Sequence, residues 1–227
     1  MYISAIIAAA GSSHRMGTKI AKQFLKIKEK MIIEYTLDTF NSIDDIDEIV
    51  LVIRERDRDI VNELIERNSY KNIKLVVGGD TRERSTYNGL KAVCDKTDIV
   101  ICHDGARPFI KKEKILESIN ALGDYDGVVV AVKAKDTIKY VNSDMKIVNT
   151  PNRSNLYMAQ TPQVFKYEAI KEAYKMVFDE KISVTDDSSL MEILGKDIRV
   201  IEGNYNNIKI TTMEDLYLGE IIVNEGE

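Results

Sequence analysis

The chain opens with an apolar run, Ile3-Ser4-Ala5-Ile6-Ile7-Ala8, which passes through Ala9-Ala10-Gly11-Ser12-Ser13 into a segment carrying Arg15, Lys19 and Lys22. A backbone leaving a strand through such small residues can bring its N–H groups close to an anion, because almost no side chain intervenes. Arg15 and Lys22 can then neutralise oxygens that backbone dipoles alone leave partly charged. The chemistry suggested is the cradling of a triphosphate. The loop matches neither the G-x-G-x-x-G of dinucleotide folds nor the lysine-serine/threonine ending of an ATPase phosphate loop. A tight structural turn with a solvated basic flank accounts for the same residues, and both readings stand at this level.

Three further clusters could carry chemistry. In Gly78-Gly79-Asp80-Thr81-Arg82-Glu83-Arg84-Ser85 the paired glycines allow a sharp turn, and the hydroxyls of Thr81 and Ser85 can read a base edge or a sugar. The plain alternative is a strand-to-helix connection capped by Asp80 or Thr81. His103-Asp104-Gly105-Ala106-Arg107-Pro108 follows an apolar strand, and ligands of open α/β sheets gather outside the carboxyl ends of strands. A carboxylate there can hold a divalent ion that bridges phosphate oxygens, or it can merely cap a turn with Arg107 neutralising it. His103 reads as a hydrogen-bonded structural group rather than a general base, and His14 has no second zinc ligand near it in sequence. In the third cluster, Asn149 to Ser154 with Ala159 to Gln163, Arg153 offers a planar donor fork to a phosphate and Thr161 a hydroxyl. Thr185 could touch a ligand, although capping accounts for Thr185-Asp186-Asp187-Ser188; Lys209, just before the last helix, can reach a ligand lying across strand ends.

The elements that must position these groups alternate. Strand-like runs occur at Ile3 to Ala8, Glu48 to Ile53, Ile73 to Val77, Ile99 to Cys102, Val128 to Val132 and Ile198 to Glu202. Helical patterns cover Ile32 to Phe40, Arg58 to Arg67, Thr86 to Asp95, Lys112 to Leu122, Tyr167 to Phe178 and Ser188 to Leu194, and a last helix follows Thr211-Thr212 with Glu214 or Asp215 as reciprocal cap. Near-continuous apolar strands separated by helices predict a mostly parallel α/β sandwich covered on both faces. Between Ala134 and Gln163 the alternation lapses into a hairpin around Asn142-Ser143-Asp144, which reads as an arm available to another subunit or as an ordinary peripheral hairpin.

With 227 residues and only 3 prolines and 12 glycines, one domain with a single sizeable core is expected. A net charge of −5 argues against attraction to nucleic acid and for a small substrate met by local clusters of Lys and Arg. Cys94 and Cys102 lack metal spacing and read as reduced thiols. No stretch reaches about 18 apolar residues, and no basic leader opens the chain, so a soluble cytoplasmic protein without a membrane partner is expected.

Taken together, the motifs resemble the 2-C-methyl-D-erythritol 4-phosphate cytidylyltransferase family of the non-mevalonate isoprenoid pathway. The matching pieces are Ala8-Ala9-Ala10-Gly11 with Arg15-Met16-Gly17, Lys22-Gln23-Phe24, Gly78-Gly79 through Arg82 and Ser85, Asp104 to Pro108, Lys135-Asp136-Thr137, Gln160 to Gln163, Thr185-Asp186-Asp187 and Asn207-Ile208-Lys209. Their joint order and spacing, over essentially the whole chain, are what is specific. The resemblance implies a three-layer, Rossmann-like nucleotidyltransferase sheet with a projecting β-hairpin arm at about 134–163, and a reaction of CTP with a methylerythritol phosphate that needs Mg2+ or another divalent cation. It implies catalytic roles for Arg15, Lys22 and Lys209, and nucleotide binding by Ala9, Ala10, Gly11, Ser12, Gly78, Gly79, Asp80, Arg82, Ser85, Asp104 and Gly105. Asp104 would also hold the metal, and Arg107, Thr137, Arg153, Thr161, Thr185 and Lys209 would bind the alcohol phosphate. Thr137 and Arg153 would do so across a homodimer of interlocked arms. His14 and the Asp104-Gly105 pair are mild departures from the pattern of the relatives. A ribitol 5-phosphate cytidylyltransferase, another sugar-phosphate nucleotidyltransferase and a nucleotide-binding regulatory subunit are the competing readings.

Overall fold

The computed structural model describes residues 1–11, 21–180 and 184–225. Along the chain its strands are β1 (Ile3–Ala8), β2 (Lys26–Ile27), β3 (Lys30–Met31), β4 (Glu48–Ile53), β5 (Ile73–Val77), β6 (Ile99–Asp104), β7 (Gly127–Lys133), β8 (Tyr140–Val141), β9 (Ile147–Asn149), β10 (Tyr157–Lys166) and β11 (Ile198–Glu202). The helices are α1 (Ile32–Asn41), α2 (Arg58–Asn68), α3 (Arg82–Leu90), α4 (Lys112–Asn120), α5 (Tyr167–Glu180), α6 (Asp187–Ile193) and α7 (Met213–Glu225).

Seven strands form one sheet in the order β11-β7-β10-β6-β1-β4-β5. All its neighbours are parallel except β10, which runs antiparallel to both β6 and β7. Because successive side chains of a strand face opposite ways, each apolar run feeds two cores. Ile3, Ala5 and Ile7 of β1, with Ile49, Leu51 and Ile53 of β4, face the apolar sides of α1, α2 and α4. Ile6, Val50, Val52 and Val100 face the other way, onto Leu90 of α3, Tyr174 of α5 and Leu190 of α6. A third cluster joins Ile27, Ile32, Ile210 and Leu216, where α7 meets the β2-β3 hairpin. The three-layer, mostly parallel sandwich expected from the sequence is what the chain builds.

The short β2-β3 hairpin was not expected, and two larger elements also differ from that expectation. No strand was expected at β10, because polar Gln160, Thr161 and Gln163 and the intervening Pro162 break its apolar pattern. The register shifts between Ala159 and Gln163, as a proline inside a sheet requires, and the buried polar side chains find hydrogen-bond partners in Asn204, in His103 of β6 and in Asp186. The stretch 134–163 is therefore not all arm: Tyr157 onward belongs to the main sheet, and the exposed hairpin is β8-β9, turned by the Asn142 side chain, which accepts from the N–H groups of Asp144 and Lys146 at 3.1 and 2.9 Å. Helix α3 begins at Arg82 rather than Thr86, because the Thr81 hydroxyl caps it, accepting from the Arg84 N–H at 3.1 Å.

Helix α3 lies close to the sheet through Gly89. A Cβ there would stand 2.7 Å from Cγ2 of Ile6 and 3.0 Å from Cγ2 of Val52. Gly89→Ala is expected to destabilise the fold by about 1–2 kcal/mol in urea unfolding, since an approach of 2.7 Å calls for the upper part of the overpacking range, about 2–3 kcal/mol, less a helix-propensity gain of about 1 kcal/mol. A variant as stable as wild type would show that α3 can lift away freely.

Candidate active site

The chain winds from β1 outward through β4 to β5, then returns to place β6 on the other side of β1. The crevice beyond the carboxyl ends of these strands lies where the winding reverses, the usual ligand position of such sheets. A cleft of about 590 Å3 opens there, walled by Ala8 to Gly11 after β1, Arg54 and Glu55 after β4, Val77 to Arg82 after β5 and Asp104 and Ala106 at the end of β6, with Lys22, Gln23, Ser85 and Lys209 completing it.

Small residues make the walls backbone. The Ala9 N–H donates to the Val52 carbonyl at 2.8 Å and the Gly105 N–H to the Ala8 carbonyl at 2.9 Å, which ties the first loop to both neighbouring strands. The buried Gln23 amide donates to the Ala9 carbonyl, so the segment bearing Lys22 is anchored beside that loop. A Cβ on Gly78 would stand 2.5 Å from Ala10 Cβ and 2.8 Å from Ser85 Oγ, so the loops after β1 and β5 can touch only because glycine is there. The Ser85 hydroxyl donates to the Thr81 carbonyl at 2.9 Å and accepts from the Gly79 N–H at 3.1 Å, which holds the second loop folded.

Charge is organised around two carboxylates. Lys209 Nζ lies 2.9 Å and Arg107 Nε 3.3 Å from the same oxygen of Asp104, Oδ2. Burial alone would push the Asp104 carboxyl up, but Lys209, Arg82 and Arg107 overrule it and hold it well below the usual carboxylate range. It stays an anion. Arg82 makes a two-pronged pair with Asp187 at 2.8 and 2.7 Å. The Asp187 side chain is 1% exposed and that of Arg82 is 30% exposed, so the acid braces from behind while the guanidinium reaches the cleft. Asp187 also accepts from the Tyr174 hydroxyl. Burial would lower the Arg82 pKa, but Asp187 raises it instead and keeps the group charged.

Behind Asp104 lies a polar layer. His103 is buried, one nitrogen 3.1 Å from the Arg107 carbonyl and the other 3.0 Å from the Thr161 hydroxyl, and burial pushes its pKa down to about 4. The Arg107 guanidinium donates to the Asn207 carbonyl at 2.9 Å, and the Asn207 amide donates to the Thr161 carbonyl at 2.9 Å. These bonds tie the loop before α7, which carries Lys209, to the end of β6.

Of the residues singled out in the sequence, Ala9, Ala10, Gly11, Lys22, Gly78, Gly79, Asp80, Arg82, Ser85, Asp104 and Lys209 meet in the one cleft, and Gly105 backs it. Arg107 and Thr161 stand in the layer behind Asp104. Thr137 and Arg153 lie exposed on the arm, where Arg153 donates to the Lys135 carbonyl at 2.8 Å, and Thr185 is exposed just before α6. Ser12, His14 and Arg15 fall outside the described residues. Sequence reading missed Asp187, because Asp186 alone caps α6, accepting from the Ser189 N–H at 3.1 Å. A second acid beside a sufficient cap was the available signal. It also missed Arg54 and Glu55, whose place directly after an apolar strand pointed to the cleft.

The family model for 2-C-methyl-D-erythritol 4-phosphate cytidylyltransferase matches residues 3–225. The 2-C-methyl-D-erythritol 4-phosphate cytidylyltransferase of Clostridioides difficile (strain 630) is 46% identical over 222 residues, 97% of this chain and 93% of that protein. The crystal structure of 4-diphosphocytidyl-2C-methyl-D-erythritol synthase from Anaerococcus prevotii DSM 20548 superposes with a TM-score of 0.90 at 42% identity, covering 98% of this chain and 96% of that one. The Francisella tularensis 2-C-methyl-D-erythritol 4-phosphate cytidylyltransferase gives 0.83 at 29% identity, covering 97% and 99%.

Removing the brace behind Arg82 should be costly. Asp187→Ala leaves the guanidinium and the Tyr174 hydroxyl without their acceptor, and a loss of about 3 kcal/mol is expected in urea unfolding, the low end for a broken buried pair because Arg82 can reach water. A change under about 1 kcal/mol would mean that the pair carries little stability.

Proposed function

This chain belongs to the 2-C-methyl-D-erythritol 4-phosphate cytidylyltransferase family, and on that premise we propose that it transfers the cytidylyl group of CTP to 2-C-methyl-D-erythritol 4-phosphate, giving 4-diphosphocytidyl-2-C-methyl-D-erythritol and pyrophosphate. The observation that carries this reading is the convergence of Lys22, Arg82, Lys209 and Asp104 on one cleft walled in part by the backbone and small side chains of Ala8 to Gly11 and of Gly78 and Gly79.

An oxygen of the alcohol's phosphate attacks the α-phosphorus of CTP in line, and the bond to the pyrophosphate oxygen breaks. The attacker is already an anion at neutral pH, so no general base is needed; His103, the histidine among the described residues, is buried with both ring nitrogens engaged. Repulsion between two phosphates is the obstacle. Lys22 and Lys209 supply fixed positive charge along the cleft, and Arg15 adds to it in our reading. Asp104 holds Lys209 at the cleft floor without moving as charge develops, which is the sense in which a preorganised donor lowers a barrier. The loop from Gly78 to Ser85, with Ala10 and Gly11, receives cytosine and ribose.

We also propose a requirement for Mg2+ or a similar cation, with Asp104 as the carboxylate that holds it. Mg2+ keeps several waters and takes most of its other ligands from phosphate oxygens, so one buried anion in a triphosphate cleft fits it. When bound, it neutralises charge gathering on the phosphate oxygens. The working unit is proposed to be a cytoplasmic homodimer in which the arm of one subunit brings Thr137 and Arg153 to the alcohol phosphate of the other. Exposed apolar side chains on the arm, Tyr140, Met145 (78% exposed), Ile147 and Val148, support this.

Pyrophosphate release from CTP and Mg2+ is expected with methylerythritol 4-phosphate and not with ribitol 5-phosphate; the reverse preference would move the chain to the rival polyol, and binding without release would make it a regulatory subunit. Lys209→Ala and Lys22→Ala should each lower kcat by about 100-fold or more. Turnover equal to wild type in purified protein would remove the role assigned to that lysine. Ile147→Asp should shift sedimentation from dimer toward monomer and raise KM for the alcohol phosphate, as Arg153→Ala should without changing the oligomer. A monomeric wild type would end the shared-site reading.

A further inference from the structure

We infer that His103 is a positioning residue for Asp104: bonded to the Thr161 hydroxyl on one side and to the Arg107 carbonyl on the other, its imidazole clamps the turn that presents the Asp104 carboxylate to the cleft. This rests on the reading of Asp104 as the anchor of the divalent cation.

The need for a clamp arises where two strands part. Strand β6 pairs with β10 only as far as Cys102 opposite Gln163, so the Asp104 N–H, which points toward β10, has no backbone carbonyl to meet. The register shift in β10 puts Thr161 there instead, and its hydroxyl accepts from the Asp104 N–H at 3.1 Å. A hydroxyl can rotate, however, and does this only if its proton is held elsewhere.

His103 supplies that constraint. The Arg107 carbonyl can only accept, so the nitrogen 3.1 Å from it, Nε2, carries the proton. Among the described residues the Thr161 hydroxyl meets the Asp104 N–H, which can only donate, and Nδ1, so the hydroxyl proton points to Nδ1. Nδ1 therefore accepts from the Thr161 hydroxyl at 3.0 Å, which leaves the hydroxyl lone pairs for Asp104. The Arg107 N–H closes the turn by donating to the Asp104 carbonyl at 2.9 Å. Every bond in the ring of residues 103, 161, 104 and 107 then has a single permitted polarity. The carboxylate's own oxygens take no part in it, so they remain for Lys209, Arg107 and the cation.

The test separates the two sides of the clamp. An asparagine places its amide oxygen near the position of Nδ1 and can still accept from Thr161, whereas a glutamine reaches toward Nε2 and keeps only the Arg107 link. His103→Gln and Thr161→Val are each expected to raise the Mg2+ concentration for half-maximal pyrophosphate release by about 10- to 100-fold, and His103→Asn, which loses only the Arg107 link, by clearly less. The double variant His103→Gln/Thr161→Val should lose no more than Thr161→Val alone, because that substitution already removes the bond that His103→Gln breaks. Mn2+ binding to the enzyme with CTP, read by electron paramagnetic resonance without turnover, should rank the variants in the same order.

Equal losses in His103→Asn and His103→Gln, multiplied losses in the double variant, or unaltered Mn2+ affinity in His103→Gln would each overturn the inference. If His103→Gln does not fold, Thr161→Val against Thr161→Ser reads the same link: the metal shift is expected only in the first, and equal affinities would refute it. A wild type that binds Mn2+ with CTP but releases no pyrophosphate would count against the proposed reaction and not against the clamp.

Discussion

The structure turns on a conflict of like charges. A cleft built for a triphosphate must gather several cationic side chains into a small volume before the triphosphate arrives, and two such charges about 4 Å apart repel by about 4 kcal/mol at an effective dielectric constant of about 20. Asp104 and Asp187 resolve it. Each is buried and each holds basic groups in place, Asp104 with Lys209 and Arg107, Asp187 with Arg82. The acids are therefore what makes a basic pocket compatible with a folded, net acidic chain.

Holding those acids is the task of the sheet. Asp104 ends β6 at the point where the winding of strands reverses, and Asp187 opens α6, packed behind α3 and α5. The loops after β1 and β5 bring little besides backbone to the cleft at Ala9, Ala10, Gly78 and Gly79, which leave room for the two chain segments to touch. Larger side chains at Gly78 and Gly79 would meet Ala10, Ser85 and Arg84 and force the loops apart. Rigidity in the acids and emptiness in the loops are complementary demands, and distant parts of the chain meet each of them.

The parallel part of the fold was legible because β1, β4, β6 and β7 are nearly unbroken apolar runs, a pattern that a sheet covered on both faces imposes. Most of the nucleotide cleft was legible for a related reason: strand ends announce themselves, and the small-residue or charged stretches that follow them had to lie at one edge. What escaped is what depends on partners far away in sequence. Strand β10 hides its identity behind Gln160, Thr161 and Gln163, whose burial makes sense only once Asn204, His103 and Asp186 are seen beside them. Asp187 escaped because its partner Arg82 is 105 positions away and local capping already explained the segment. No local pattern reports a bond of that span.

Strand β10 has one more consequence. It leaves the arm and, ten residues later, has passed behind Asp104, so the root of the arm and the back of the cleft share one strand paired with β7 on either side of the register shift. A residue inserted or deleted at the tip, around 142–146, is absorbed by an exposed turn. The same event between Tyr157 and Gln163 would slide the ladder by one place and turn each following side chain to the opposite face. A change of length is thus tolerated at the far end of the hairpin and costly at its base, where Thr161 and Gln163 are bonded to His103 and Asp186.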